Sequence, residues 1–141
     1  MVEPEWSSLP NDPNRAGFAD DLAAHQSAFL WGPRKTGKST YLRSAFPSSV
    51  TFDLLQTDLM LELTKRPALL RERLLAAPPE TLRSPVILDE VQKVPQLLDE
   101  VHWLIENQGL SFILCGSSAR KLKRGGVNLL GGRAWRYEMH P

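Results

Sequence analysis

The 141-residue sequence predicts an α/β fold, a mainly parallel sheet covered by helices on both faces. Three observations carry that prediction. Short apolar runs at 27–31, 86–88 and 111–115 alternate with longer segments whose apolar residues fall at helical spacing. Within those runs the residues are apolar without polar alternation, as in strands buried on both faces. Composition is that of a globular domain, with 42% hydrophobic and 23% charged residues, which argues against a disordered or collagen-like chain.

Taken in order, residues 1–14 hold Pro4, Pro10 and Pro13 and no periodicity, which reads as a flexible N-terminal arm ahead of a single core over 15–141. Phe18, Leu22 and the neighbouring alanines give a weak helix over 15–26. The run 27–31 is a strand, and it stops at Gly32-Pro33. From 38 to 46, Tyr41, Leu42, Ala45 and Phe46 mark one face of a helix that Pro47 closes. A second strand is expected at 50–53, and short helices at 58–64 and 67–76, the latter with Pro67 in its first turn. Past the Pro78-Pro79 break comes the third strand, 86–88, ending in Asp89-Glu90. Leu97, Leu98, Val101, Leu104 and Ile105 give the clearest helix, 95–107, with Gly109 as its stop. A fourth strand is expected at 111–115 and a fifth at 134–139, separated by a glycine-rich stretch. There is no internal repeat.

Charge and cysteine usage narrow the function classes. Seventeen basic against sixteen acidic residues leave a net charge of +1, so no global drive toward nucleic acid or membrane is expected. The distribution is uneven: residues 1–33 hold five acids and one base, residues 120–138 six bases and one acid. That basic end is either a solvated face or a surface for phosphate or nucleic acid. No apolar run approaches the roughly 20 residues of a membrane span. With no secretory signal pattern and a single cysteine, Cys115, the expected compartment is the cytoplasm.

The chemistry concentrates in two motifs. Gly32-Pro33-Arg34-Lys35-Thr36-Gly37-Lys38-Ser39 satisfies G-x-x-x-x-G-K-[ST] between a predicted strand and a predicted helix, the context that pattern requires. Glycines let successive N–H groups face inward, and the following helix adds the positive end of its dipole, so the loop and Thr40 behind it form a polyphosphate cradle. Lys38 would reach the β and γ phosphates, and the Ser39 hydroxyl would ligate Mg²⁺. Val86-Ile87-Leu88-Asp89-Glu90 delivers two carboxylates to the sheet edge where the loop also lies. Asp89 would hold the Mg²⁺ shell, and Glu90 would polarise the water attacking the γ phosphate.

Other residues stay open between two readings. Ser117 and Ser118 either touch the γ phosphate or cap a helix beginning near Ala119. Arg133 either stabilises the transition-state charge or is a surface arginine, and Arg34 and Lys35 at most tune affinity. His25, His102 and His140 are isolated and carry no metal-ligand spacing. Cys115 reads as a buried small residue, and Trp31, Trp103 and Trp135 as core, with Trp31 also near enough to the loop to touch the adenine.

Together, Gly-Pro-Arg-x-x-Gly-Lys-Ser, Ile-Leu-Asp-Glu-Val-Gln-Lys-Val-Pro, Cys-Gly-Ser-Ser-Ala-Arg-Lys-Leu and Leu-Leu-Gly-Gly-Arg-Ala resemble the ATP-binding domain of a prokaryotic AAA-type ATPase family, over about residues 27–139. The resemblance implies a P-loop NTPase of the additional-strand, catalytic-glutamate class, a three-layer α/β/α sandwich with strand order 5-1-4-3-2. It makes 32–39 the Walker A motif, 86–90 the Walker B motif, Ser117 or Ser118 the sensor, and Arg133 the arginine near the fifth strand. Such proteins carry a further C-terminal domain, so the chain is expected to end before a helical lid. Trp31 departs from the family, which usually has a small or polar residue there.

The expected activity is therefore Mg²⁺-dependent hydrolysis of ATP to ADP and phosphate. An alternative is a nucleotide-binding switch with little turnover of its own, completed by a second subunit or domain that supplies a lid and an arginine. A nucleic-acid module built on 120–136 is weaker, and Asp89-Glu90 favours water over the acceptor hydroxyl of a nucleotide kinase.

Overall fold

The computed structural model describes residues 27–32 and 37–117 in full, and the backbone of 134–138. Five strands, β1 (Ser27–Trp31), β2 (Thr51–Asp53), β3 (Val86–Asp89), β4 (Phe112–Gly116) and β5 (Ala134–Glu138), form one sheet in the order β2-β3-β4-β1-β5. Read from the other edge this is 5-1-4-3-2, and all four pairings are parallel, where the sequence suggested only a mainly parallel sheet. The helices are α1 (Lys38–Ala45), α2 (Thr57–Lys65), α3 (Ala68–Ala76) and α4 (Leu97–Gln108). The expected arm over 1–14 and helix over 15–26 lie outside the described residues.

Strand side chains alternate between faces, and this splits the core in two. Ala28, Leu30, Ile87, Ile113 and Cys115 pack beneath Leu42 of α1. On the other face Phe29, Trp31, Phe52, Leu88, Phe112 and Leu114 meet Leu63 of α2, Leu70 and Leu74 of α3, and Leu97, Val101 and Leu104 of α4. Every residue of β1 and β4 is buried, which is why both read as continuous apolar runs. Registers of Ala28 on Ile113 and of Ser27 on Ala134 align the strands so that their carboxyl ends finish along one edge.

Gly109 ends α4 in the left-handed conformation (φ 64°), with its N–H on the Ile105 carbonyl at 3.2 Å, as expected of a glycine stop. Two short 3₁₀ turns, Pro79–Leu82 and Val91–Lys93, were not legible in the sequence. One expectation is corrected. Trp103 is not core; it lies on the surface, 41% exposed, with the Arg71 guanidinium 5.5 Å above its ring. Arg71 also pairs with Glu100 at 2.8 Å and so ties α3 to α4. No helix among the described residues is long and apolar enough to cross a membrane.

Candidate functional site

The carboxyl edge of the sheet collects the end of β1, the start of α1 and the ends of β2, β3 and β4. Gly32 leaves β1 with its N–H on the Gly116 carbonyl at 3.1 Å, which holds the loop entrance against the end of β4. Pro33, Arg34, Lys35 and Thr36 fall outside the described residues. The chain re-enters at Gly37 with φ 88°, a conformation that an L side chain resists, and the Gly37 carbonyl accepts the Tyr41 N–H at 2.9 Å, starting α1.

Lys38 is the first residue of α1, yet its side chain is buried, 7% exposed. Its ammonium donates to the Gly32 carbonyl across the loop mouth. Ser39 and Thr40 are exposed on the first turn of α1. Ser39 shares an open cleft of about 550 Å³ with Leu42, Arg43, Asp53, Ile87 and Asp89. The cleft thus sets a hydroxyl and two carboxylates around an apolar floor.

Asp89 ends β3 in register with Asp53 at the end of β2, and the Asp89 carbonyl accepts the Leu54 N–H at 3.0 Å. Asp53 in turn accepts the Leu55 N–H at 3.0 Å. Burial pushes the Asp89 carboxyl above the ordinary carboxylate range, and the negative charges of Glu90 and Asp53 add to the shift; Lys38 opposes it. Oxygen donors under mutual repulsion suit a hard divalent cation, and the Ser39 hydroxyl and Asp89 carboxylate fit that role.

Glu90 has φ 59° and is the non-glycine residue with positive φ among those described. Holding it there costs on the order of 1 to 3 kcal/mol, which the structure around it must offset. The turn drives the side chain inward, 3% exposed, and starts the 3₁₀ turn Val91–Lys93 with the Lys93 N–H on the Glu90 carbonyl at 3.0 Å. Ser117 donates its hydroxyl to Glu90 Oε2 at 3.2 Å, and the Gln92 amide donates to the same oxygen. Gln92 Nε2 also reaches Ser117 Oγ at 3.3 Å, closing a three-membered ring of hydrogen bonds. Gly116, just before Ser117, has no room for a side chain. A Cβ there would lie 2.4 Å from Gln92 Oε1 and 2.4 Å from Trp31 Cζ3.

The edge therefore brings together Gly32, Gly37, Lys38, Ser39, Asp89, Glu90 and Ser117 from the sequence-based set. Ser118 and Arg133 lie outside the described residues. Trp31 is buried and stacked on Phe29 at 5.4 Å, on the face opposite α1. Cys115 is fully buried beneath the site, as expected; burial first, then the charges of Asp89 and Glu90, raise its thiol well above the ordinary value, with Lys38 opposing. Among the described residues no cluster of His, Cys, Asp and Glu forms a metal site by itself. Sequence reasoning missed Asp53, Gln92 and Gly116. For Gln92 the sequence holds no signal, since Lys93 beside it is equally polar and yet exposed.

Comparison with known proteins agrees with this geometry. The AAA domain family matches residues 24–141. Among solved structures, the Walker-type ATPase PABY2304 of Pyrococcus abyssi aligns with a TM-score of 0.56 and 16% identity, covering 100% of this chain and 57% of that one. At that identity the likeness is one of fold, and the chain spans little more than half of that protein's length. No protein of curated function matches the chain in sequence.

Proposed function

Because the chain belongs to the AAA domain family, whose ATP-binding P-loop core it carries, we propose that it hydrolyses ATP to ADP and phosphate at the carboxyl edge of the sheet. The observation that carries the reading is the convergence of a buried lysine, an exposed serine and two carboxylates with different surroundings at the mouth of one glycine-bounded loop.

The proposal gives each residue one role. The loop 32–39 and the first turn of α1, with Thr40, cradle the phosphates through backbone N–H groups and the helix dipole. Lys38 already points its ammonium into the loop mouth, where a γ phosphate would take the place of the Gly32 carbonyl as its acceptor. Ser39 and Asp89 would hold Mg²⁺, which supplies charge neutralisation to the phosphates when bound. Glu90 takes a proton from water as the water oxygen bonds to the γ phosphorus and the bond to the β–γ bridging oxygen breaks, leaving ADP. Ser117 orients Glu90, and Arg133 is the proposed positive charge for the transition state. A lid and further contacts from a second subunit or domain belong to the same proposal.

Glu90→Gln is the decisive variant. It keeps the shape and loses the base, so ATP binding stays near wild type while turnover falls by about 100-fold or more. Hydrolysis at the wild-type rate in Glu90→Gln would remove Glu90 from its role.

A further inference from the structure

We propose that Gln92 is a positioning residue for hydrolysis: its side-chain amide, with Ser117, pins one carboxylate oxygen of Glu90 and leaves the other for water. The proposal rests on Glu90 being the group that activates water.

Gln92 is 95% buried in a chain segment whose neighbours explain the burial of everything but an amide. Val91 and Val94 are fully buried and anchor the 3₁₀ turn from both sides. Between them an apolar residue would serve packing equally well, and glutamine is disfavoured in a core unless its polar atoms are satisfied. Here only half of them are. Nε2 donates to Glu90 Oε2 and to Ser117 Oγ, whereas Oε1 has no hydrogen-bond partner among the described residues. The reverse orientation of the amide would set its carbonyl against the Glu90 carboxylate, so the network admits one orientation. The unpartnered carbonyl is the cost of aiming two N–H groups at Glu90 and Ser117.

Three further features hold the amide in place. Glu90 sits in a left-handed turn that brings residue 92 back beside its own carboxylate. Gly116 lacks the Cβ that would collide with Gln92 Oε1. Trp31, stacked on Phe29, walls the same space from the β1 side. Both donors converge on Oε2, so the carboxylate cannot rotate about its last bond without breaking both bonds. Fixing the base in this way matters because a displacement near 1 Å in a reacting group costs about 100-fold in rate.

The test uses Gln92→Met, which keeps the length and packing of the side chain and removes its N–H groups. In this variant kcat is expected to fall about tenfold to a hundredfold with ATP affinity within about twofold of wild type, and no further loss is expected when Gln92→Met is added to Glu90→Gln. Unchanged kcat, raised kcat, or an affinity loss equal to the kcat loss would each overturn it. A second measurement is independent of turnover and of that variant's folding. In the ¹⁵N-labelled wild-type chain the Gln92 side-chain amide protons are expected to be protected from exchange and to move toward free-glutamine positions in Glu90→Ala. Rapid exchange in wild type, or no movement in Glu90→Ala, would refute the contact itself. An absence of hydrolysis in wild type with protected Gln92 amide protons would count against the proposed activity and leave the positioning contact standing.

Discussion

Replacing Gly116 with alanine tests the tightest junction of the site. Gly116 ends β4 with an ordinary backbone conformation, so the substitution carries no φ penalty and its cost is purely steric. The new methyl would lie 2.4 Å from Trp31 Cζ3, 2.9 Å from Trp31 Cε3 and 2.4 Å from Gln92 Oε1. None of these can yield freely. Trp31 is 4% exposed and stacked on Phe29, and Gln92 is tied to Glu90 and Ser117. Overpacking a core position costs about 1 to 3 kcal/mol, and a displaced amide loses hydrogen bonds worth about 1 kcal/mol each. Gly116→Ala should therefore lower stability by about 2 to 4 kcal/mol. With an unfolding entropy near 2.1 cal/mol/K per residue, that is a fall in Tm of roughly 7 to 14 °C for a chain of this size. Urea unfolding followed by circular dichroism reads it directly, and adding Gln92→Ala should recover part of the loss, since residues in contact couple by about 0.5 to 3 kcal/mol. Stability within about 0.5 kcal/mol of wild type would show that Trp31 and Gln92 do not fill that space.

Asp89→Asn should raise the Tm of the nucleotide-free protein at pH 7 while weakening Mg²⁺-dependent ATP binding, because burial and the charges of Glu90 and Asp53 disfavour the ionised carboxylate. The sign follows from linkage: a folded pKa raised above the unfolded value means the folded state holds more protons, so stability falls as pH rises through that interval. The Tm gain of Asp89→Asn should then grow as pH rises through the interval and vanish below the unfolded value near 3.8; an equal gain at pH 3 would contradict the cause assigned. Cys115 should react with a thiol reagent at pH 8 only as fast as the protein opens, so its modification rate should rise with urea along the unfolding transition. Rapid modification of the native protein would show the site floor to be open.

The middle of the sheet was legible because β1, β3 and β4 are buried on both faces, so 27–31, 86–88 and 111–115 stand out as apolar runs between turn signals. The loop was legible because phosphate binding demands glycine, lysine and a hydroxyl at fixed spacing, and that demand is local. What escaped is what depends on distant packing. The left-handed Glu90 has no local signature, since glutamate is an ordinary strand-end residue, and only the closed ring with Gln92 and Ser117 accounts for its geometry. Gly116 reads as one glycine among nine until the Trp31 ring is seen lying against it. Hydrophobicity alone puts Trp103 in the core, but it does not give the side chain's direction. At about 100° per residue Trp103 lies roughly 200° from Val101 and 100° from Leu104, off the face that α4 buries. Asp53 was hidden in a three-residue strand, and only its pairing with Asp89 gives it meaning.

In the proposed site the nucleotide phosphates lie at the loop closed by Lys38. Titration of the whole chain with Mg²⁺-ATP, wild type beside Lys38→Ala, tests it most directly. The buried ammonium is placed to make a charge-assisted bond with phosphate, worth about 1.5 to 3 kcal/mol, so Lys38→Ala should weaken ATP binding roughly tenfold to a hundredfold. Equal affinity in the two proteins would contradict the account and place any bound nucleotide elsewhere.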